Sequence, residues 1–516
     1  MRVAMVEPQR PVVVTDSGSV GGLRKDQVAA FLGIPYAASP IGALRFAAPE
    51  AHAGWTTVLD ASHPGPSVPQ APRMRSTRIS VLGNSPRDGN EDGCLNLNVW
   101  TPADALTDGR LRPVLVFIHG GGFSGGAGGW PWYHGSNLCA LGDIVVVTIN
   151  YRLGALGYLY LPEIGADNLG PQDQGAALRW IRNNISAFGG DPHTVTVSGQ
   201  SAGAYSTAAL AADPATSGLF QRLLLQSPPL ALAPQDPADA VEMAAEYTRL
   251  LGVDTASDLG SALRALPVEQ LLIAFSTLAV QHVGPVGDWR PPLMPVLGGA
   301  GMPCTWQQAM TNGAFDSKDF MAGSNGTENT ALWQMSNNTA VQKFTREDAL
   351  CLLPGLAPPT DSYAEACNVE AIYNQYSARL PGRTPGQVFT AITGDWTYRD
   401  AIVAIAGHRT TLGHHSYIYQ FLRAPRPDPD DLGSTHCAEL PFVTGNFEAS
   451  IDAPMLGSID DGDRELSRAL AGAVVQFVKT GSPNGPGLVN WPSYGSASAP
   501  LMLTFDSSRI SVAEAY

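Results

Sequence analysis

The chain predicts an α/β fold: a large, mostly parallel central sheet with helices on both faces. Three observations lead there. Short apolar, β-branched runs recur along the 516 residues, and segments of helical periodicity separate them. Neither an internal repeat nor a dividing linker interrupts the alternation, so residues 1–516 are expected to form one domain.

Taken in order, Pro113-Val114-Leu115-Val116-Phe117-Ile118 reads as a buried strand, and so does Ile144-Val145-Val146-Val147-Thr148-Ile149. Over 171–188, Leu178, Ile181, Ile185 and Phe188 recur at the spacing of one helix face. A strand is expected at 194–198, a helix just after it, and a further apolar run at Leu223-Leu224-Leu225. Phe320-Met321-Ala322 and Tyr417-Ile418-Tyr419-Gln420-Phe421 read as later strands, with a helix over 399–410 between them. The Pro/Asp-rich stretch 424–431 reads as a surface loop.

Composition narrows the function. With 31 basic against 46 acidic residues the formal charge is −15, which disfavours binding to a phosphate backbone, so nucleic acid is not expected as a partner. No run approaches the ~18 apolar residues of a membrane span. The first residues, MRVAMVEPQRPVVVTDSG, lack the apolar core of a signal peptide, so a soluble, cytoplasmic protein is expected. The six cysteines form no C-x-x-C pair, no His/Cys cluster has zinc-like spacing, and no metal or cofactor is expected. Cys351 and Cys367 could bridge, but a reduced setting is favoured.

The chemistry concentrates at HTVTVSGQSAGAYS, residues 193–206, where a β-branched run ends at Ser201 between Gly199 and Gly203. A serine on a sharp turn from strand to helix needs small neighbours where the backbone crowds. A second G-x-S-x-G surrounds Ser124, but it runs into Gly125-Gly126-Ala127-Gly128-Gly129, which could hardly start a helix. Ser201 is therefore the candidate nucleophile.

A serine hydroxyl needs an imidazole to take its proton and an acid to orient that imidazole. Where the nucleophile sits on such an elbow, the acid and then the histidine follow it in the chain. His408 falls inside a predicted helix, and His414 and His415 precede the strand 417–421. His436 follows that strand through a loop and is the candidate base. Glu328, just past the run Asp319-Phe320-Met321-Ala322, is the candidate acid. His119-Gly120-Gly121-Gly122-Phe123 directly follows a strand and offers backbone N–H groups to a developing oxyanion, with the N–H of Ala202 completing the set.

With these residues in place, the chain resembles the type-B carboxylesterases of the carboxylesterase/cholinesterase family. The matching stretches run in order through Phe31-Leu32-Gly33-Ile34-Pro35-Tyr36-Ala37, Leu44-Arg45-Phe46, Glu91-Asp92-Gly93-Cys94-Leu95-Asn96-Leu97-Asn98, the HGGGF loop, Asn150-Tyr151-Arg152 and Phe188-Gly189-Gly190-Asp191-Pro192. The resemblance implies the α/β-hydrolase fold and a cofactor-independent ester hydrolase. Its triad would be Ser201, Glu328 and His436, with Gly121, Gly122 and Ala202 as oxyanion donors. It also implies a supporting Ser227, an ion pair of Arg152 with Asp173, and one of Arg45 with Glu91 or Asp92.

The departures matter too. Cys94 lacks the upstream cysteine usual in exported members, and Val253 and Ala262 replace another common pair. Asn329 and Cys437 stand where glycine is usual, and Cys437 reads as a small buried hydrophobe. Gln200 precedes the nucleophile where cholinesterases carry glutamate. Residues 71–90 contain no aromatic side chain to hold a quaternary ammonium, but they do contain Arg73, Arg75, Arg78 and Arg87. A small-molecule apolar or aryl/alkyl ester is therefore expected rather than a choline ester. Trp130, Trp132, Trp289 and Trp333 could line an apolar gorge. The rival readings are an amide or carbamate hydrolase on the same residues, and a non-catalytic binding module of cholinesterase type.

Overall fold

A computed structural model describes residues 10–70, 83, 89–284, 286, 290–335, 340–358, 368–496, 499–507 and 509–515. The strands, in chain order, begin with β1 (Val12–Thr15), β2 (Gly18–Gly21), β3 (Leu23–Lys25), β4 (Val28–Pro35) and β5 (Leu59–Asp60). Next come β6 (Asn96–Pro102), β7 (Arg112–Ile118), β8 (Val145–Ile149), β9 (Gly190–Gln200) and β10 (Arg222–Gln226). The last four are β11 (Asp319–Asn325), β12 (Ser416–Phe421), β13 (Leu501–Asp506) and β14 (Arg509–Glu514).

Strands β1, β2 and β5 make a small separate sheet, and the rest form one eleven-stranded sheet in the order β14-β13-β12-β11-β10-β9-β7-β8-β6-β4-β3. From β8 to β13 every pairing is parallel. The edges are antiparallel: β14 returns on β13, while β6, β4 and β3 add beyond β8. The sequence expectation of a mostly parallel sheet holds for the middle. The antiparallel borders were not anticipated: β3–β4 and β13–β14 are hairpins closed by short turns, while β6 pairs with β4 and β8, from which it is separated by longer stretches of chain.

Alternation along the parallel strands sorts the two faces. Val114, Val116 and Ile118 of β7 join the core that includes Leu178, Ile181 and Leu210. Leu115 and Phe117 join the opposite core with Leu138, Leu470 and Phe477. Helices Leu169–Asn184 and Ala202–Ala212 cover the first face, and Asp461–Thr480 covers the second. The helix expected over 171–188 ends at Asn184 and tightens into a 3₁₀ turn, Ile185–Phe188. A third core, including Trp333, Leu353, Tyr373, Phe389 and Trp396, belongs to helices inserted between β11 and β12. One of them, Pro385–Gly394, passes through a π turn at Asp395–Arg399 into Asp400–Thr411, so the helix expected over 399–410 begins with an altered hydrogen-bond register. No single helix among the described residues is long and apolar enough to cross a membrane.

Candidate active site

Five neighbouring strands, in the order β12, β11, β10, β9, β7, end in register along one edge of the sheet: Gly199 lies opposite Ile118, Gln226 opposite Gln200 and Gly323, and Asn325 opposite Phe421. The loop that follows each carries expected residues. His436 follows β12, Glu328 follows β11, Ser227 follows β10, Ser201 follows β9, and Gly121 and Gly122 follow β7. The carboxyl edge of a parallel sheet is where ligands of α/β proteins sit, because loops to opposite faces diverge there.

Ser201 stands between β9 and the helix Ala202–Ala212 at φ 57° and ψ −127°, a conformation costing a non-glycine residue roughly 1–3 kcal/mol. Its N–H donates to the Gln226 carbonyl at 2.9 Å, so β10 holds the turn. The flanking glycines are needed for space. A Cβ on Gly203 would lie 2.0 Å from the Ile118 carbonyl, and one on Gly199 would lie 2.3 Å from the Gly203 carbonyl. The Ser201 hydroxyl, which is partly exposed, makes no hydrogen bond among the described residues.

After β7, Gly121 takes φ 121° and Gly122 φ 60°. A Cβ on Gly121 would meet the Gly125 carbonyl at 2.0 Å. Buried His119 anchors this turn: its Nδ1 lies 2.8 Å from the Gly120 oxygen and its ring stacks on Tyr151 at 4.5 Å. Burial pushes the His119 pKa down to about 4, so the ring brings no charge. Among the described residues, nothing accepts from the N–H groups of Gly121, Gly122 or Ala202. Free backbone donors beside a strained serine are what a developing oxyanion requires.

Glu328 and His436 are buried and in contact, Oε2 lying 2.6 Å from Nδ1. The other Glu328 oxygen accepts from the Ser227 hydroxyl at 2.5 Å and from the Asn325 N–H at 2.6 Å. The two loops are laced by backbone as well: His436 N–H donates to the Glu328 carbonyl at 3.2 Å, and Thr327 N–H donates to that of Ser434 at 2.9 Å. On the far side of the imidazole, Gln200 Nε2 lies 3.2 Å from Nε2. Tyr398, from the π turn, lays its ring against the imidazole with centroids 4.7 Å apart. Burial works against a charged ring, yet its neighbours, Cys437, Tyr398 and Glu328, outweigh that and raise the His436 pKa above its ordinary value.

Sequence reading missed three participants. Asn325 donates from Nδ2 to a second carboxylate, Glu439, at 2.6 Å. Glu439 is fully buried, and burial together with the charge of Glu328 pushes its pKa up to about 7. Only its place three residues past His436 could have drawn attention to it. Tyr398 is the third, carried by a helix that sequence alone gives no reason to connect with the loop. Cys437 is buried among apolar side chains, as expected, though at φ 72° it keeps the backbone shape of a glycine.

The expected supports are present. Arg152 holds Asp173 through two side-chain contacts of 2.8 and 2.7 Å, and Arg45 takes Glu91, Nε donating to Oε1 at 2.7 Å. Asp92 accepts instead from the Ser39 hydroxyl at 2.6 Å. Cys94 is free and buried. Trp130 and Trp132 pack edge to face in the apolar core, and Trp333 lies in the core of the inserted helices. Arg73, Arg75, Arg78, Arg87, Trp289 and Cys367 lie outside the described residues.

This architecture is that of the α/β-hydrolase fold, and comparison narrows it further. The carboxylesterase family model matches residues 9–515. A phenmedipham hydrolase of Pseudarthrobacter oxydans is 34% identical over 499 residues, covering 96% of this chain and 95% of that protein. A para-nitrobenzyl esterase of Bacillus subtilis is 34% identical over 488 residues, covering 94% and 92%. The solved structure of a Geobacillus stearothermophilus carboxylesterase superposes with a TM-score of 0.82 at 30% identity, covering 98% of each chain. The chain belongs to the carboxylesterase family and is a carboxylic ester hydrolase acting on small esters.

Proposed function

We propose that ester cleavage runs through a Ser201-His436-Glu328 triad and a covalent acyl-enzyme. Ser201 Oγ attacks the acyl carbon while His436 Nε2 takes its proton. Gly121, Gly122 and Ala202 donate N–H groups to the resulting oxyanion. His436 then passes the proton to the departing alkoxide, and the ester C–O bond breaks. Water, deprotonated by the same imidazole, attacks the acyl-serine and releases the acid, returning the proton to Ser201. Glu328 holds Nδ1–H and stabilises the imidazolium. The observation that carries this reading is the 2.6 Å Glu328–His436 contact, set at the same sheet edge as the strained Ser201.

The substrates we propose are apolar or aryl/alkyl esters rather than choline esters. Gln200, beside the nucleophile, brings no charge for a quaternary ammonium, and the name of the Bacillus relative, para-nitrobenzyl esterase, supports an aryl-bearing ester. The test is the hydrolysis of p-nitrophenyl acetate, butyrate and octanoate, with acetylcholine alongside, by wild type and by Ser201→Ala. Wild type is expected to favour the p-nitrophenyl esters, and Ser201→Ala to lose roughly 10⁵-fold or more in kcat. Retention of the rate by Ser201→Ala would overturn the nucleophile assignment, and efficient acetylcholine turnover would overturn the substrate class.

A further inference from the structure

A carboxylate accepts hydrogen bonds and cannot donate them, so the Glu328 contact places the imidazole proton on His436 Nδ1. In the neutral ring Nε2 therefore carries the lone pair. The Gln200 atom facing it at 3.2 Å must then be the amide NH2, because an amide oxygen there would set two acceptors against each other. Gln200 has little freedom to present another group. It is 1% exposed, and its Oε1 packs against Gly120, where an added Cβ would lie 2.9 Å away. The lone pair that must receive the serine proton is thus engaged by the side chain next to the nucleophile, while the Ser201 hydroxyl has no hydrogen-bond partner among the described residues.

We infer that Gln200 tunes the general base: its amide caps His436 Nε2 in the free enzyme, keeps the imidazole neutral to a lower pH than its other neighbours alone would allow, and gives up the lone pair to Ser201 when an ester occupies the site. This rests on the triad reading above. An N–H donor aimed at Nε2 stabilises the neutral ring and opposes a proton arriving there. A carboxylate at the same position would accept from Nε2–H and favour the imidazolium. Gln200 therefore acts against the groups that raise the basicity of His436. These are Glu328 on the β11 loop, Tyr398 on the π turn, Cys437 beside the ring, and Glu439 at the start of the following helix. Functionally, Gln200 extends esterase activity toward acid, where a protonated histidine would be idle.

The experiment is the pH profile of kcat/KM for p-nitrophenyl butyrate, whose acid limb reports the essential base of the free enzyme. Wild type, Gln200→Leu and Gln200→Glu are compared. In Gln200→Leu the acid limb should move up by roughly half a pH unit, the worth of one neutral hydrogen bond. In Gln200→Glu it should move up further. The glutamate variant nearly preserves the shape of the side chain, so the test survives if leucine disturbs folding. Acid limbs that coincide in wild type and Gln200→Glu would overturn the proposal, as would a limb that moves down. A merely structural Gln200 would lower the rate without moving the limb. Failure of the triad reading looks different: Ser201→Ala and His436→Ala would then keep their activity, whatever happens at position 200.

Discussion

The two sides of Ser201 are built by different means. Toward β7 the site is backbone: the turn after His119, the N–H groups of Gly121, Gly122 and Ala202, which have no acceptor among the described residues, and glycines where a Cβ would strike a carbonyl at 2.0 Å. Toward β11 and β12 it is side chain: Glu328 is held by Ser227 and Asn325, and it holds His436 in turn. The difference has a physical reason. Oxyanion donors carry no titratable charge and need only fixed direction, which a strained backbone supplies. Proton transfer needs groups of tuned basicity, and only a side-chain network can tune them.

Substitutions on each side can break or sharpen this contrast. The largest effect is expected from Glu328→Gln, which removes the charge and the Nδ1 acceptor with little change of volume; kcat should fall by about 10⁴-fold. Comparable activity of wild type and Glu328→Gln in steady-state ester hydrolysis would place the working acid elsewhere. On the backbone side, Gly121→Ala should cost roughly 10²–10³-fold in kcat, the range for one lost oxyanion donor. Here the acid limb of the pH profile should stay where it is. Movement of that limb would mean that the two sides are not separable.

The smallest effect concerns Glu439. Burial lifts its pKa to about 7, whereas an unfolded glutamate titrates near ~4.3. Between these values the folded chain holds a proton that the unfolded chain releases. Glu439 thus contributes to stability fully below the lower value, and the contribution is lost as pH rises toward the upper one. Glu439→Gln mimics the protonated form, so its Tm relative to wild type should improve between pH 5 and pH 8. A Tm difference that is flat across that range would show that Glu439 does not titrate there.

The same division explains what could be read in advance. The elbow and the HGGGF loop were legible because their requirements fall on a few consecutive residues: a β-branched strand, glycines and a small-residue helix. Glu328 and His436 were chosen by their place after strands, a weaker rule that left few alternatives in each loop. Glu439 and Asn325 were not legible. A glutamate in Cys437-Ala438-Glu439-Leu440 looks like any helix-start acid until β11 and the histidine loop bring it against Asn325 and bury it. Nor could sequence decide between Glu91 and Asp92 for Arg45, since adjacent acids differ only in where the turn points them. The π turn escaped for a similar reason: its hydrogen-bond register changes nothing in the apolar pattern of 399–410, yet it brings Tyr398 to the imidazole.

The His436 ring is held on three sides, by Glu328 at Nδ1, by Gln200 at Nε2 and by Tyr398 across its plane. These contacts restrain rotation of the ring about its Cβ–Cγ bond, and the hydrogen between Nδ1 and Glu328 is buried while the loops stay laced. Deuterium should therefore replace that hydrogen no faster than the histidine loop parts from the acid loop. The site contains its own timer, and the isotope wash-in of a single imidazole hydrogen would read how often the folded enzyme opens.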